Sequence, residues 1–303
     1  MICAACPPGP GLQFKSHQQA AQLSQSQFLE VFGRRIEYRR FEPPAAAAMP
    51  AIVMLHEGLG SVGMWKDFPL HLAAITGARV VAYSRFGYGR SDPPPRRYGA
   101  LEMHRCEALE VLPEILRRLQ ITRPTLFGHS DGASIALIYG AARPCDVSGL
   151  VLLAPHVFVE PMCLVSIENA RQAYLTTDLR QKLLRYHQDP DQAFRLWNDL
   201  WLHPQFREWT IEGELPAITC PVLAVQGYQD EYGTMEQLER IARAIPRAEQ
   251  LRLEGCRHSP HRDQPARVLE STARWLSRRV GAQAANPLSG QAHGSAASPR
   301  RDT

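Results

Sequence analysis

From about residue 28 onward the apolar residues recur in two alternating patterns. One is the short continuous run: Ala51–His56 (Ala-Ile-Val-Met-Leu-His), Arg79–Tyr83, Pro124–Gly128, Val147–Ala154, Pro221–Gln226 and Gln250–Leu253. Runs of this length without polar alternation predict strands buried on both faces. The other pattern is helical spacing, over Met64–Thr76, Leu101–Leu119, Ala133–Ala142, Met235–Ile245 and Pro265–Ser277. In Leu101–Leu119 the stripe is Leu109, Leu112, Leu116 and Leu119. Phe28–Phe32 and Ile36–Phe41 read as a hairpin joined at Gly33-Arg34-Arg35. The alternation predicts an α/β fold, a doubly wound and mostly parallel sheet of eight strands.

One stretch interrupts it. Residues 156–215 read as successive helices carrying Tyr174, Phe194, Trp197, Trp201, Phe206 and Trp209, with no strand pattern. They are expected to form a helical cap between two core segments, 28–155 and 216–281. Residues 1–27 and 282–303 are rich in small and polar residues without periodicity, and are expected to be a disordered leader and tail.

Composition narrows the function more by exclusion than by suggestion. The chain has 303 residues, 45% of them apolar and 21% charged, which suits a folded domain. Half of the net charge of +4 sits in the two termini (Lys15; Arg300 and Arg301 against Asp302). The remainder is no footprint for nucleic acid. No apolar run approaches the roughly 18 residues of a membrane span. The amino terminus lacks the basic start and apolar stretch of a signal peptide. The seven cysteines are irregularly spaced, and the Cys3-x-x-Cys6 pair stands without a second pair to complete a metal site. A cytoplasmic protein without metal or other cofactor is expected, with a small molecule as its partner.

Chemistry enters with Gly128-His129-Ser130-Asp131-Gly132, a G-x-S-x-G between an apolar run and a small-residue helix. That context suits a nucleophilic serine on a sharp strand-to-helix turn, where the helix amino terminus favours developing negative charge. Such a serine needs a base and an acid to orient the base, following in the order acid, then histidine. Asp230 lies 100 residues after Ser130 in Gly227-Tyr228-Gln229-Asp230-Glu231, and His258 lies 28 residues further on, each just past a strand. Glu231 is the rival acid and His261 the rival base. His258-x-x-His261 lacks the further carboxylate of a metal site. The oxyanion donors are expected at the backbone amides of Asp131 and Gly58, with Leu59 as the alternative to Gly58. Leu59, Trp65, His129, Trp197 and Trp201 are candidate pocket residues. Gly87-Tyr88-Gly89 does not complete a dinucleotide-binding G-x-G-x-x-G, because Asp92 stands where the last glycine belongs.

The ordered set His56-Glu57-Gly58 with Trp65, Ser84 through Ser91, the Ser130 turn, Gly227 through Asp230 and the His258 segment resembles the α/β-hydrolase superfamily. The similarity is to small bacterial serine hydrolases with a helical cap, and it spans about 28–281. It implies Ser130 as nucleophile, Asp230 as acid, His258 as base, and Gly58 with Asp131 as oxyanion donors. The chain departs from the usual pattern at Glu57 (for Gly), Arg257 (for a small residue) and Ala133 (for Gly). The resemblance implies hydrolysis of a small carboxylic ester, thioester or lactone through an acyl-enzyme. Carbon–carbon hydrolysis of ring-cleavage diketones or perhydrolysis on the same residues are alternatives. A non-catalytic hydrolase-fold binding protein is the reading from another class.

Overall fold

The computed structural model describes residues 25–99 and 101–281. Its backbone is an eight-stranded sheet in the order β1-β2-β4-β3-β5-β6-β7-β8. The strands are β1 Gln27–Val31, β2 Arg34–Phe41, β3 Ile52–Leu55, β4 Val80–Tyr83, β5 Thr125–His129, β6 Gly149–Leu153, β7 Val222–Gly227 and β8 Glu249–Leu253. β2 runs antiparallel to both β1 and β4, and every later pairing is parallel. The helices are α1 Phe68–Thr76, α2 Met103–Cys106, α3 Leu112–Arg118, α4 Asp131–Ala142, α5 Pro161–Thr176, α6 Leu179–Leu183, α7 Pro190–Trp201, α8 Glu236–Ala244, α9 Pro260–Asp263 and α10 Pro265–Leu276. None is long and apolar enough to cross a membrane, among the described residues.

The continuous apolar runs are explained by the two cores that sandwich the sheet. Val53, Leu55, Val81, Leu126 and Leu152 face Ile115 of α3 and Leu137 of α4. Their neighbours Ile52, Met54, Val80, Phe127, Val151 and Val225 face Leu72 of α1 and Trp275 of α10. Strand residues alternate sides, so a strand covered on both needs an apolar side chain at every position.

Several boundaries differ from the sequence expectation for local reasons. The hairpin turns at Phe32-Gly33, both with positive φ (49° and 71°), as a two-residue turn requires, so Arg34 and Arg35 already belong to β2. The helix expected over Met64–Thr76 is a 3₁₀ turn, Val62–Trp65, and then α1, broken where Lys66 takes φ 51°. The stripe over Leu101–Leu119 is one helical stretch with a π segment, Glu107–Val111, between α2 and α3. Residues 156–215 hold α5 to α7 and two 3₁₀ turns, with one isolated bridge between Phe158 and Thr210. The expected leader meets β1 at Gln27; the rest of it through residue 24, the Cys3–Cys6 pair and the tail 282–303 lie outside the described residues.

Candidate active site

Ser130, Asp230, His258 and the Gly58 loop sit at the carboxyl ends of the parallel strands, where loops converge above the sheet, while Trp197 and Trp201 come from α7. Ser130 follows β5 directly with φ 53° and ψ −118°, a conformation rare for a residue with a side chain. Two neighbours make the turn possible. A Cβ on Gly128 would run into the Gly132 carbonyl, and one on Gly132 into the Leu55 carbonyl, far inside contact distance. Small residues at 128 and 132 are therefore the steric condition for a serine held up at this bend. The Ser130 N–H still donates to Leu153 O at 2.9 Å, so β6 clamps the turn.

Asp230 and His258 arrive from the ends of β7 and β8. His258 Nδ1 lies 2.8 and 2.9 Å from the two Asp230 oxygens. Since the carboxylate only accepts, the ring proton is on Nδ1 and Nε2 carries the free lone pair. Gln226 Nε2 and the Tyr232 N–H also donate to Asp230, at 2.7 and 2.8 Å, fixing its plane. Burial alone would raise the Asp230 pKa, but the His258 charge and these hydrogen bonds outweigh it and hold it low. Burial likewise works against the His258 cation, and Asp230 more than compensates, so its pKa stands above the usual imidazole value. Glu231 plays another part: its carboxylate takes the His258 backbone N–H at 3.3 Å and Arg257 at 3.0 Å. His261 is buried in α9 against Trp65 and Phe68, where burial drives its pKa well down.

The loop after β3 is tied from outside. The Glu57 carbonyl accepts from His56 Nδ1 at 2.7 Å, from Arg85 Nη2 at 2.9 Å and from the Gly60 N–H at 3.0 Å. His56 Nε2 accepts the Arg85 N–H at 2.9 Å, and burial pushes this ring down to about 3, keeping it neutral. His187 Nε2 holds the Leu59 carbonyl at 3.0 Å. In a trans peptide the N–H points opposite the C=O, so anchoring the Glu57 carbonyl turns the Gly58 N–H to the other side. A Cβ at Gly58 would overlap the Trp197 indole, so this loop and α7 are in close contact.

Asp131, at the first turn of α4, has a side chain pointing away from that role. It accepts Trp201 Nε1 at 3.0 Å and lies 3.3 Å from His104 Nε2 and 3.6 Å from Arg85 Nη2, all buried. Burial opposes its charge, yet His104 and Arg85 outweigh burial and hold the carboxyl well below the usual range. This bond ties α7 to the helix that begins at the Ser130 turn.

Ser130 and His258 line one cavity of about 180 Å³. Gly58, Leu59, Trp197 and Trp201 line it too; Trp65 and His129 do not. Trp65 packs behind the strands on Phe127 and His261. His129 is fully buried, its Nε2 donating to the His258 carbonyl at 2.7 Å and its Nδ1 lying 3.4 Å from Glu57 Oε2. Trp209 stacks on Phe206 and His104 instead. Glu57, His156, Cys163, Ile167, Glu231, Tyr232 and Ser259 complete the wall, and of these sequence reasoning had weighed only Glu231, as an acid, and Glu57, as a departure from the family pattern. His156 had a signal of the right kind, since it closely follows β6 just as the other candidates follow their strands. Among the described residues no group of three His, Cys, Asp or Glu side chains is placed to hold a metal ion.

A model of the alpha/beta hydrolase family matches residues 52–271. The 2-hydroxy-6-oxononadienedioate/2-hydroxy-6-oxononatrienedioate hydrolase of Cupriavidus pinatubonensis is 27% identical over 271 residues, covering 80% of this chain and 91% of that protein. The proline iminopeptidase of Heyndrickxia coagulans is 22% identical over 291 residues, covering 82% and 98%. Among solved structures, the enol-lactonase of Burkholderia xenovorans superposes with a TM-score of 0.66 at 18% identity, over 83% of this chain and all (100%) of that one. At that identity the likeness speaks for the fold.

Proposed function

This chain belongs to the alpha/beta hydrolase family, and from that premise we propose that it is a serine hydrolase cleaving a small carboxylic ester, thioester or lactone. The observation that carries the reading is the exposure of Ser130, at its strained turn, and of the Asp230-bound His258 to one cavity. Ser130 Oγ attacks the substrate carbonyl while His258 Nε2 takes its proton. Asp230 holds the ring tautomer and stabilises the imidazolium that forms. The Asp131 and Gly58 amides receive the tetrahedral oxyanion, a contribution of about 3–4 kcal/mol per donor in comparable sites. His258 then protonates the leaving group, and water delivered through the same base hydrolyses the acyl-enzyme. Helices α5 to α7 act as a cap, with Trp197 and Trp201 as its apolar ceiling.

The 27% identity to a ring-cleavage hydrolase favours a second reading, carbon–carbon hydrolysis on the same residues. Turnover of a p-nitrophenyl ester series beside a vinylogous diketone separates the two. A fluorophosphonate probe is expected to label Ser130. Ser130→Ala is expected to lose the label and at least about 10³-fold in kcat, with its thermal unfolding unchanged. Full turnover in a folded Ser130→Ala protein would remove the serine mechanism.

A further inference from the structure

The cavity wall carries acidic side chains, and its imidazole with a raised pKa, His258, is already paired to Asp230. Glu57 and Glu231 both line the cavity, and no lysine or arginine does among the described residues. Arg257 reaches Glu231 at 3.0 Å from outside, but its side chain is 70% exposed, where solvent screens most of its charge. Glu57 lines the cavity with its side chain 20% exposed, and has His129 3.4 Å from one oxygen. A second observation points the same way. His156 lines the cavity, is 2% exposed, and its buried Nδ1 finds no hydrogen-bond partner. Buried polar atoms are nearly always satisfied, so this unmatched nitrogen calls for a partner that the protein itself does not supply. Held neutral, with its pKa pushed down to about 4 by burial, this ring offers an acceptor lone pair and costs a cationic ligand no repulsion.

We propose that the cavity recognises a substrate bearing a protonated amine, seated among Glu57, Glu231 and His156, and discriminates against substrates bearing a carboxylate. This rests on the serine hydrolase reading and names the substrate class that site would take. An ammonium brings donors only, and the three side chains supply acceptors. With His258 neutral, as the proposed base must be, a carboxylate in the same space would meet two like charges and no lysine or arginine to offset them. The relative from Cupriavidus acts on a dioate, so charge is where this chain departs from it.

Two measurements test the assignment. The first compares kcat/KM for the p-nitrophenyl esters of 6-aminohexanoate, hexanoate and adipate, after subtraction of spontaneous hydrolysis. The amino ester is expected to exceed the adipate monoester by about ten-fold or more, and the ratio to shrink at high ionic strength. Glu57→Gln and Glu231→Gln, read separately so that a folding defect in one leaves the other, are each expected to narrow it. Equal ratios in wild type, or a preference for the adipate monoester, overturn the proposal. The second measurement dispenses with turnover: hexylamine and hexanoate are titrated into Ser130→Ala, following the fluorescence of Trp197 and Trp201 at the cavity wall. Hexylamine is expected to bind about ten-fold tighter; equal affinity, or no binding by either, overturns it. An amine preference in Ser130→Ala beside an unlabelled, inactive wild type would leave the binding assignment standing and remove the hydrolase reading.

Discussion

Asp230 sets the properties of His258 through one contact with two consequences. The carboxylate fixes the proton on Nδ1, and its charge raises the His258 pKa above the ordinary 6.5 against the pull of burial. The proposed base is the neutral ring, so kcat/KM for a neutral ester is expected to fall as pH drops through that raised value. Asp230→Asn removes the raising charge. Its acidic limb is expected to move to lower pH, while the plateau falls by about 10³-fold or more as tautomer control is lost. Measuring kcat/KM from pH 4 to 9 for both proteins decides it, and a limb that stays in place would show that another group governs it. Ser130, Asp230 and His258 were legible in the sequence because each is announced locally by a strand end and a turn. Cavity membership is not local. His129 occupies a position inside the Ser130 motif, yet strand geometry buries it beneath the site as a strut between Glu57 and the His258 carbonyl. His156 offered only its place after β6, and Cys163 and Tyr232 gave no sign at all, because what makes them neighbours of Ser130 is the path of separate chain segments.

At the level of elements, the turn between β5 and α4 depends on two glycines more than on the serine it presents. Gly132 packs its α-carbon against the Leu55 carbonyl of β3, and that atom is backbone held in a parallel pairing, unable to yield as a side chain would. Gly132→Ala is expected to cost about 3 kcal/mol, the upper end of overpacking in a core, and to abolish Ser130 labelling. Gly58→Ala meets first the Trp197 indole, a side chain on α7 and not backbone. It is expected to cost less stability than Gly132→Ala and to damage turnover. Urea midpoints of the two variants, measured side by side, check the ranking; an equal loss in both would mean that the indole is as fixed as the backbone. Sequence reading found these glycines through the G-x-S-x-G pattern and placed the strands to within a residue or two. It ran Met64–Thr76 as one helix because helical spacing persists across the break. What breaks it is a positive φ at Lys66, and nothing in a lysine advertises that.

Over the whole molecule, the buried histidines make stability a function of pH independent of catalysis. Burial pushes His56 down to about 3 and His156 to about 4, and it also lowers His187 and His261. Each binds its proton more readily in the unfolded chain, near pH 6.5, than in the fold. Their contribution is therefore fully present above pH 6.5 and is lost as pH falls toward 4 and then 3. His258 has the opposite sign: its raised pKa adds stability below 6.5 that disappears as pH rises through the folded value. Asp230 and Asp131, both depressed, keep their contribution until pH falls below the ordinary carboxylate range, near 4. Between pH 6.5 and 4.5 the four lowered histidines work against the fold as pH falls, while His258 and Glu107, whose buried carboxyl is raised to about 7, work for it. At about 1.4 kcal/mol per pH unit for each group, His56 and His156 together remove about 5 kcal/mol over that interval, of which Glu107 and His258 return a part. Domains of this kind have about 5–15 kcal/mol in all. The urea midpoint is thus expected to hold nearly steady from pH 8 to 7 and to fall between 6 and 4.5. His56→Gln, which keeps a neutral donor at the Glu57 carbonyl, is expected to lower the plateau and flatten the acid slope. A wild-type midpoint that stays level down to pH 4.5 would mean that these rings are charged in the fold, contrary to the burial that surrounds them.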